Sequence, residues 1–308
     1  MKRDTIMIYD VVIIGGGPAG LTAAIYTARA RLKTLIIEKA GCGGQMAITD
    51  LLENYPGFSG INGFDLAAKL EAQARDFGAE ITYDEALSIE DGEIKKVITA
   101  NGKFETKTII VAAGTKVKGT GIPGEEKFIG KGVSFCAVCD APFYKGKDVL
   151  VIGGGDSALQ EALYLAKFAK NVTIIHRRDQ FRAAKILQER LSAHKNISVM
   201  YDTIPEEIAG DSAIDHVRLS NVKTGEKQNL KVSGVFVFIG LIPNTLADSK
   251  LKVDEAGYII TDENMAASIA GVFACGDIRK KGLRQVVTAA ADGAQAAISA
   301  QHYIEKTE

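Results

Sequence analysis

Cys136 and Cys139 stand two residues apart in the run Cys136-Ala137-Val138-Cys139-Asp140. Two thiols at this spacing can close a disulfide across one turn and so store and pass two electrons; they can equally be half of a zinc site. Zinc needs about four ligands. The other cysteines, Cys42 and Cys275, are isolated, and none of the four histidines lies near Cys136 in sequence. Two inert buried cysteines are the remaining alternative. A disulfide is reduced only when a departing thiolate is protonated, so the carboxyl of Asp140 is a candidate acid. It is also an ordinary turn residue in Asp140-Ala141-Pro142. Cys42 and Cys275 each sit in a glycine-flanked loop, where packing is the simpler account.

A dithiol needs an electron source, and the chain offers two candidate sites. Val11-Val12-Ile13-Ile14-Gly15-Gly16-Gly17-Pro18-Ala19-Gly20 recurs 138 residues later as Val149-Leu150-Val151-Ile152-Gly153-Gly154-Gly155-Asp156-Ser157-Ala158. The offset holds to a second strand, where Leu35-Ile36-Ile37-Glu38-Lys39 matches Thr173-Ile174-Ile175-His176-Arg177. A lone glycine motif is weak. Here each copy follows an apolar strand and opens a helix, the context that gives the motif meaning. Gly15 and Gly17, like Gly153 and Gly155, permit a tight turn and let a pyrophosphate approach the helix N-terminus. Pro18 and Ala19 open the first helix; Asp156 and Ser157 open the second. Glu38 closes the first copy, and an acid there accepts from a ribose 2′-hydroxyl but repels a 2′-phosphate. The second copy has His176-Arg177-Arg178 at that place and Arg182 beyond it. Three guanidiniums favour a 2′-phosphate. The first copy therefore suits FAD or NAD and the second NADPH. The plainer alternative is two ordinary βα turns and a solvated arginine cluster.

The elements that must position these residues follow from periodicity. Strands are expected at 7–14 and 34–38, around a helix that starts near Pro18. Asn62 can cap a helix through 77. Short strands follow at 81–83, 86–89, 95–99 and 107–112, with turn signals at Asp91-Gly92 and Asn101-Gly102. Residues 114–124 and 241–244 read as linkers. Between them lie the second copy, a helix at 182–193, short strands from 197 to 230 and a buried strand at 235–239. Strands at 258–260 and 272–274 and an alanine-rich helix at 285–304 close the chain. The expected fold is α/β, with two Rossmann-like three-layer dinucleotide-binding domains, the second inserted into the first. The boundaries are 1–115 plus 246–308 and 116–245. Two crossings form a double hinge that permits rigid-body rotation.

Composition removes other classes. A net charge of −1 gives no electrostatic footprint for nucleic acid or an anionic membrane. No apolar run approaches the length of a bilayer span, and the short apolar stretch at the start is broken by Asp10, a poor signal peptide. Four cysteines in 308 residues are not a disulfide framework. The expected location is the cytoplasm.

At this point the motifs form a known set. The chain resembles the low-molecular-weight, bacterial-type thioredoxin reductases over its whole length. Gly15-Gly16-Gly17-Pro18-Ala19-Gly20 is similar to the family's FAD fingerprint. Gly43-Gly44-Gln45 and Glu53-Asn54-Tyr55-Pro56-Gly57 are similar to its flavin loops, and Cys136-Ala137-Val138-Cys139-Asp140 to its active site. His176-Arg177-Arg178 with Arg182 is similar to its NADPH clamp. Gly271-Val272-Phe273-Ala274-Cys275-Gly276-Asp277, followed by Arg284-Gln285-Val286, is similar to its second FAD segment. Ala112-Ala113-Gly114 and Cys275-Gly276-Asp277 depart from the family's usual Ala-Thr-Gly and Ala-Gly-Asp by small-for-small changes. The basic loop 278–283 reads as solvated, or as a surface that tunes partner choice.

The resemblance implies FAD in the discontinuous domain, NADPH in the inserted one, a homodimer, and thioredoxin or a thioredoxin-like protein as partner. It implies that Cys139 faces the flavin, that Cys136 attacks the partner disulfide and that Asp140 is the acid/base. Asp277 becomes a ligand of the ribityl chain. In one pose of the rotating domain NADPH would reduce FAD; in the other the reduced flavin would meet the Cys136–Cys139 disulfide. Relatives fed by ferredoxin, or passing electrons to oxygen, would carry a degraded second nucleotide site, and Gly153, Gly155, Arg177, Arg178 and Arg182 are all present. A relative that reduces ferredoxin with NADPH needs no dithiol, and peroxide-reducing flavoprotein subunits carry an added N-terminal region. A nucleotide-binding redox sensor is the non-enzymatic alternative.

Overall fold

The structure, a computed structural model, describes residues 7–246 and 249–307. The chain divides into two compact units, Met1–Lys116 with Ile242–Glu308, and Val117–Leu241.

The first unit begins β1 (Ile8–Ile14), α1 (Pro18–Arg29), β2 (Thr34–Glu38), α2 (Gly63–Asp76), β3 (Glu80–Tyr83), β4 (Ala86–Glu90), β5 (Lys95–Thr99) and β6 (Lys103–Val111). The chain then runs through β7 (Thr115–Val117) into the second unit. That unit contains α3 (Glu125–Phe128), β8 (Val133–Ser134), α4 (Ala137–Asp140), β9 (Asp148–Gly153), α5 (Asp156–Leu165), β10 (Asn171–Ile175), α6 (Lys185–Ser192) and β11 (Ile197–Met200). It ends with β12 (Thr203–Gly210), β13 (Ile214–Asn221), β14 (Lys227–Lys231) and β15 (Gly234–Phe238). The return passes through β16 (Leu241–Pro243) to β17 (Val272–Ala274) and α7 (Val286–Thr307).

In the first unit the sheet order is β3-β2-β1-β6-β5-β4, with β17 also on β6. The strand β6 changes partner along its length: Lys103–Thr106 pairs antiparallel with β5, and Ile109–Val111 pairs parallel with β17. Strand alternation divides the core into two layers. Val11 and Ile13 pack on one face among residues of α1 and α7, and Val12 and Ile14 pack on the other with Ile89, Val97 and Ile259. Small residues let the two helices come close: a Cβ on Gly293 of α7 would strike the backbone of Ala19 in α1. The second unit repeats the scheme. Its parallel sheet runs β11-β10-β9-β15-β8. Val149 and Val151 face α5 and α6, while Leu150 and Ile152 face the antiparallel meander β12-β13-β14 through Ile208, Val217 and Leu219. Each unit is therefore a three-layer α/β domain, and the second is inserted into the first.

Asn62 caps α2, its side chain accepting from the Phe64 amide at 2.9 Å. Three expectations need correction. Residues 182–184 are not helical, because two of their amides are taken elsewhere: Arg182 donates to the Gly154 carbonyl at 2.8 Å and Ala184 to the Asp156 carboxylate at 2.8 Å. Residues 258–260 form no strand; Ile259 makes only isolated bridges to Val253 and Arg279. The expected linkers 114–124 and 241–244 contain the short strands β7 and β16, which pair with each other.

Candidate functional site

The redox pair opens a single helical turn in the second unit. Cys136 and Cys139 are joined by a disulfide, with Cα atoms 5.4 Å apart. The Cys136 sulfur accepts from the Cys139 amide at 3.2 Å, capping α4. Two further residues hold this turn. The Ser134 hydroxyl accepts from the Cys136 amide at 3.1 Å and lies 3.2 Å from its carbonyl, and the Glu161 carboxylate on α5 accepts from the Ala137 amide at 2.9 Å. Cys136 is half-buried and Cys139 exposed. Asp140 ends α4, its amide donating to the Cys136 carbonyl at 3.3 Å. Burial, then the Asp140 charge, pushes the Tyr144 phenol above its ordinary range. Among the described residues no group of three or more His, Cys, Asp or Glu side chains is placed to hold a metal ion.

The same unit carries the second glycine turn. A Cβ on Gly153 would strike the Phe238 carbonyl, whereas one on Gly155, just before α5, would meet nothing within 4 Å. The turn is thus backed by the sheet on one side and open on the other. The Arg182–Gly154 and Ala184–Asp156 bonds fold residues 177–184 across it. Arg177, Arg178 and Arg182 are exposed, and among the described residues none of them pairs with a carboxylate. Ser157 is exposed on the first turn of α5. His176 is different. Its ring is buried behind Gly154 and beside Phe181, and its Nε2 has no partner among the described residues. Burial and then the three arginine charges hold its pKa below the ordinary value, so the ring is neutral at pH 7.

In the first unit, Gly15 has φ +104° and its Cα lies against the Ala112 carbonyl. Gly17 precedes α1 with open space around it, no side chain caps the helix, and Pro18 occupies its first turn. The first amides of α1 are left for an anion. The Glu38 carboxylate accepts from the Gly16 amide at 2.6 Å and the Ala40 amide at 3.1 Å. The Gly43 amide donates to the Gly16 carbonyl at 2.8 Å, which brings the Gly43-Gly44-Gln45 loop onto the fingerprint. The Asn54 side chain reaches Gln285 at 3.0 Å. Lys39 is directed elsewhere, to a surface ion pair with Glu85 at 2.6 Å.

Among the described residues, three side-chain polar atoms in this unit are buried without a partner: Oγ1 of Thr115 at the end of the unit's first segment, Oδ1 of Asp277 and Nε of Arg284. Burial raises the Asp277 carboxyl. The Arg284 guanidinium stacks on Tyr258 at 4.0 Å, and Val286 opens α7 against Met46. Gly276, next to Asp277, packs so closely on Ala19 that a Cβ there would lie 2.7 Å from the Ala19 methyl. Asp277 is thereby set beside the fingerprint helix. Orphaned buried polar atoms, free helix amides and an open glycine turn fit a ligand with both hydroxyls and a pyrophosphate, as FAD has. Burial lifts the Cys42 thiol to about 12 and raises the fully buried Cys275 thiol further. Neither supplies a thiolate near neutral pH.

Sequence reasoning missed Ser134, Glu161 and Tyr258. Glu161 lies 24 residues from the amide it accepts, and no local pattern joins them. The Ser134 bonds span two residues and were in principle visible, as a hydroxyl just before the pair.

Comparison with known proteins fits this geometry. The family model described as pyridine nucleotide-disulphide oxidoreductase matches residues 9–293. A thioredoxin reductase of Bacillus subtilis (strain 168) is 47% identical, covering 98% of this chain and 96% of its own. The crystal structure of Lactococcus lactis thioredoxin reductase is 48% identical with a TM-score of 0.95, covering 97% of this chain and 99% of its own. That of T. acidophilum thioredoxin reductase is 36% identical with a TM-score of 0.93, at the same coverage. With a matching family model over nearly its whole length, two dinucleotide-binding domains and a bonded cysteine pair, the chain belongs to the pyridine nucleotide-disulphide oxidoreductase family.

Proposed function

We propose that the chain is a thioredoxin-disulfide reductase that draws electrons from NADPH through FAD. The observation that carries the reading is one domain holding both the bonded Cys136–Cys139 pair and a glycine turn flanked by three arginines that have no carboxylate partner among the described residues. FAD would be held in the first unit by the α1 amides, Glu38, the 43–45 loop, Asn54, Asp277, Arg284 and the start of α7. NADPH would be held in the second by the Gly153–Gly155 turn, Asp156, Ser157 and the arginines, with neutral His176 supporting the turn. When bound, these groups supply hydride transfer and a two-electron store.

The chain's own residues then do the thiol chemistry. Reduction of the Cys136–Cys139 disulfide gives two thiols, and Asp140 moves the proton that the departing sulfur requires. The Cys136 thiolate attacks the partner's disulfide and forms a mixed disulfide, releasing one partner thiol. Cys139 attacks that bond, which closes the internal disulfide and releases the second thiol. Two electrons and two protons leave the enzyme for each disulfide reduced. Ser134 and Glu161 keep the turn in place while its sulfurs exchange partners. Rotation of the inserted unit on its two connections would present its nucleotide site and its dithiol in turn. A homodimer belongs to the same reading, and Leu51, Phe58 and Phe64 are exposed apolar side chains of the first unit available to it.

Cys136→Ser and Cys139→Ser should each lower NADPH-dependent reduction of a thioredoxin disulfide by at least about a thousandfold, since nucleophile losses cost that order. Flavin content should be unchanged. Turnover surviving in both variants would refute the reading.

A further inference from the structure

Residues 275–285 connect β17 to α7 and carry most of the second set of candidate flavin residues, Asp277, Arg284 and Gln285. Within its basic loop Lys280 is exposed, as expected from the sequence, but Arg279 and Lys281 are not solvated. The Arg279 and Lys281 side chains are 15% and 9% exposed, and both point at one carboxylate, that of Asp292 in the second turn of α7. Asp292 Oδ1 accepts from Arg279 at 3.1 Å. Its Oδ2 accepts from Lys281 at 2.8 Å and from the backbone amide of Gly276 at 3.1 Å. Asp292 is itself buried. Arg279 is held from the other side by the Thr261 hydroxyl at 3.0 Å.

We infer that Asp292 is a positioning residue of the flavin site: through the Gly276 amide, Arg279 and Lys281 it fixes the turn that presents Asp277 and sets the charge that Asp277 faces. The inference rests on the reading of this unit as the FAD site. Gly276 is covalently next to Asp277, so the Asp292–Gly276 bond fixes the backbone from which the unpartnered Asp277 oxygen projects. A surface ion pair would do little here. A buried carboxylate with three donors is different, because removing it leaves two buried cations and an amide uncompensated.

The charges around Asp277 give the inference a sign. Burial pushes its carboxyl up, Lys281 and then Arg284 hold it down, and Asp292 pushes it up. Arg279 adds a second cation on the Asp292 side. An ionised Asp277 can accept from hydroxyl groups at both oxygens; a protonated one accepts less well. FAD affinity should therefore fall on the acid side as Asp277 takes up a proton. Asp292→Asn removes a like charge and releases two cations toward Asp277, so the acid limb should move to lower pH. Lys281→Met removes an attracting charge, so the limb should move to higher pH. A purely structural role does not give opposite directions.

The test is the dissociation constant for FAD as a function of pH, taken from neutral pH down through the acid limb of the wild type. It is read by recovery of flavin fluorescence when the flavin-loaded full chain is diluted. At the neutral end Asp292→Asn should bind FAD about tenfold more weakly than wild type, the scale of losing a charged hydrogen bond. The two acid limbs should move apart. Wild-type binding by Asp292→Asn at every pH would overturn the inference, as would one constant factor in both variants with the limbs unmoved. Lys281→Met keeps the Asp292 bonds to Gly276 and Arg279, so an unmoved limb in that variant overturns the inference even where Asp292→Asn fails to fold. If the wild type binds no FAD at all, the flavin reading fails first and takes the inference with it.

Discussion

Three arginines in the second unit illustrate what single residues decide. Arg177, Arg178 and Arg182 are exposed, and the acid that lies among them in sequence, Asp179, pairs instead with Lys223 at 3.5 Å. Guanidiniums that pair with no carboxylate among the described residues, set around an open glycine turn, are better explained by an anionic ligand. Arg177→Ala and Arg178→Ala should each raise KM for NADPH by roughly 10- to 100-fold, the scale of one or two charge-assisted bonds. KM for NADH, which lacks the 2′-phosphate, should hardly move. Steady-state kinetics with the two nucleotides checks this. Cys42 shows the opposite case, a residue whose type invites chemistry that its surroundings deny. Its thiol sits at about 12, raised chiefly by burial and then by Glu71 and Glu38. At pH 8 the reactive thiolate is then about one molecule in ten thousand. Alkylation of the oxidised protein by iodoacetamide should accordingly be very slow at pH 8 and gain about tenfold per pH unit up to that value. Cys42→Ser and Cys275→Ser should keep full turnover. The dithiol, the glycines and the arginines were legible in sequence because their meaning is local. Asp292, Glu161 and Tyr258 were not, because each acts on a segment that only the fold brings to it.

Elements explain why two kinds of glycine occur in and around the glycine motifs. Gly17 and Gly155 face open space, while a Cβ on Gly20 or Gly293 would strike the backbone oxygens of Gly15 and Ala19. The first kind leaves room for a ligand and the second lets helices and strands approach each other. Gly20→Ala and Gly293→Ala should destabilise the fold by about 1–3 kcal/mol, the cost of overpacking, and lower the melting temperature. Gly17→Ala should change stability by less than about 1 kcal/mol and weaken flavin retention instead. Thermal melting and flavin content, measured together, separate the two classes. Strand and helix periodicity made β1, β2, β9, β10 and α7 legible in sequence, since each carries a long apolar face. The weak segments were misread where tertiary bonds override local preference. Residues 182–184 have helical composition, yet the amides of Arg182 and Ala184 serve the glycine turn. Residues 258–260, Tyr-Ile-Ile, have the aromatic and β-branched composition of a strand, yet Ile259 finds only single bridges.

At the scale of the whole molecule, the gapless 138-residue repeat foretold two related domains, and each unit does fold as a three-layer α/β body around its own cores. Insertion of one into the other follows from chain order, with crossings at β7 and β16. The duplicated turn has diverged in one respect that matters for electron flow: Glu38 serves the first copy and three arginines the second. A chain built this way should fill two electron stores from one donor. The most direct test is an anaerobic titration of the flavin-loaded protein with NADPH, followed at the visible flavin band, with NADH as control. Two coupled two-electron stores should consume about two equivalents, with NADPH strongly preferred. Consumption of about one equivalent would mean that the Cys136–Cys139 pair is not coupled to the flavin. No bleaching at all would mean that the arginine-flanked turn does not receive NADPH, and would contradict the account at its centre.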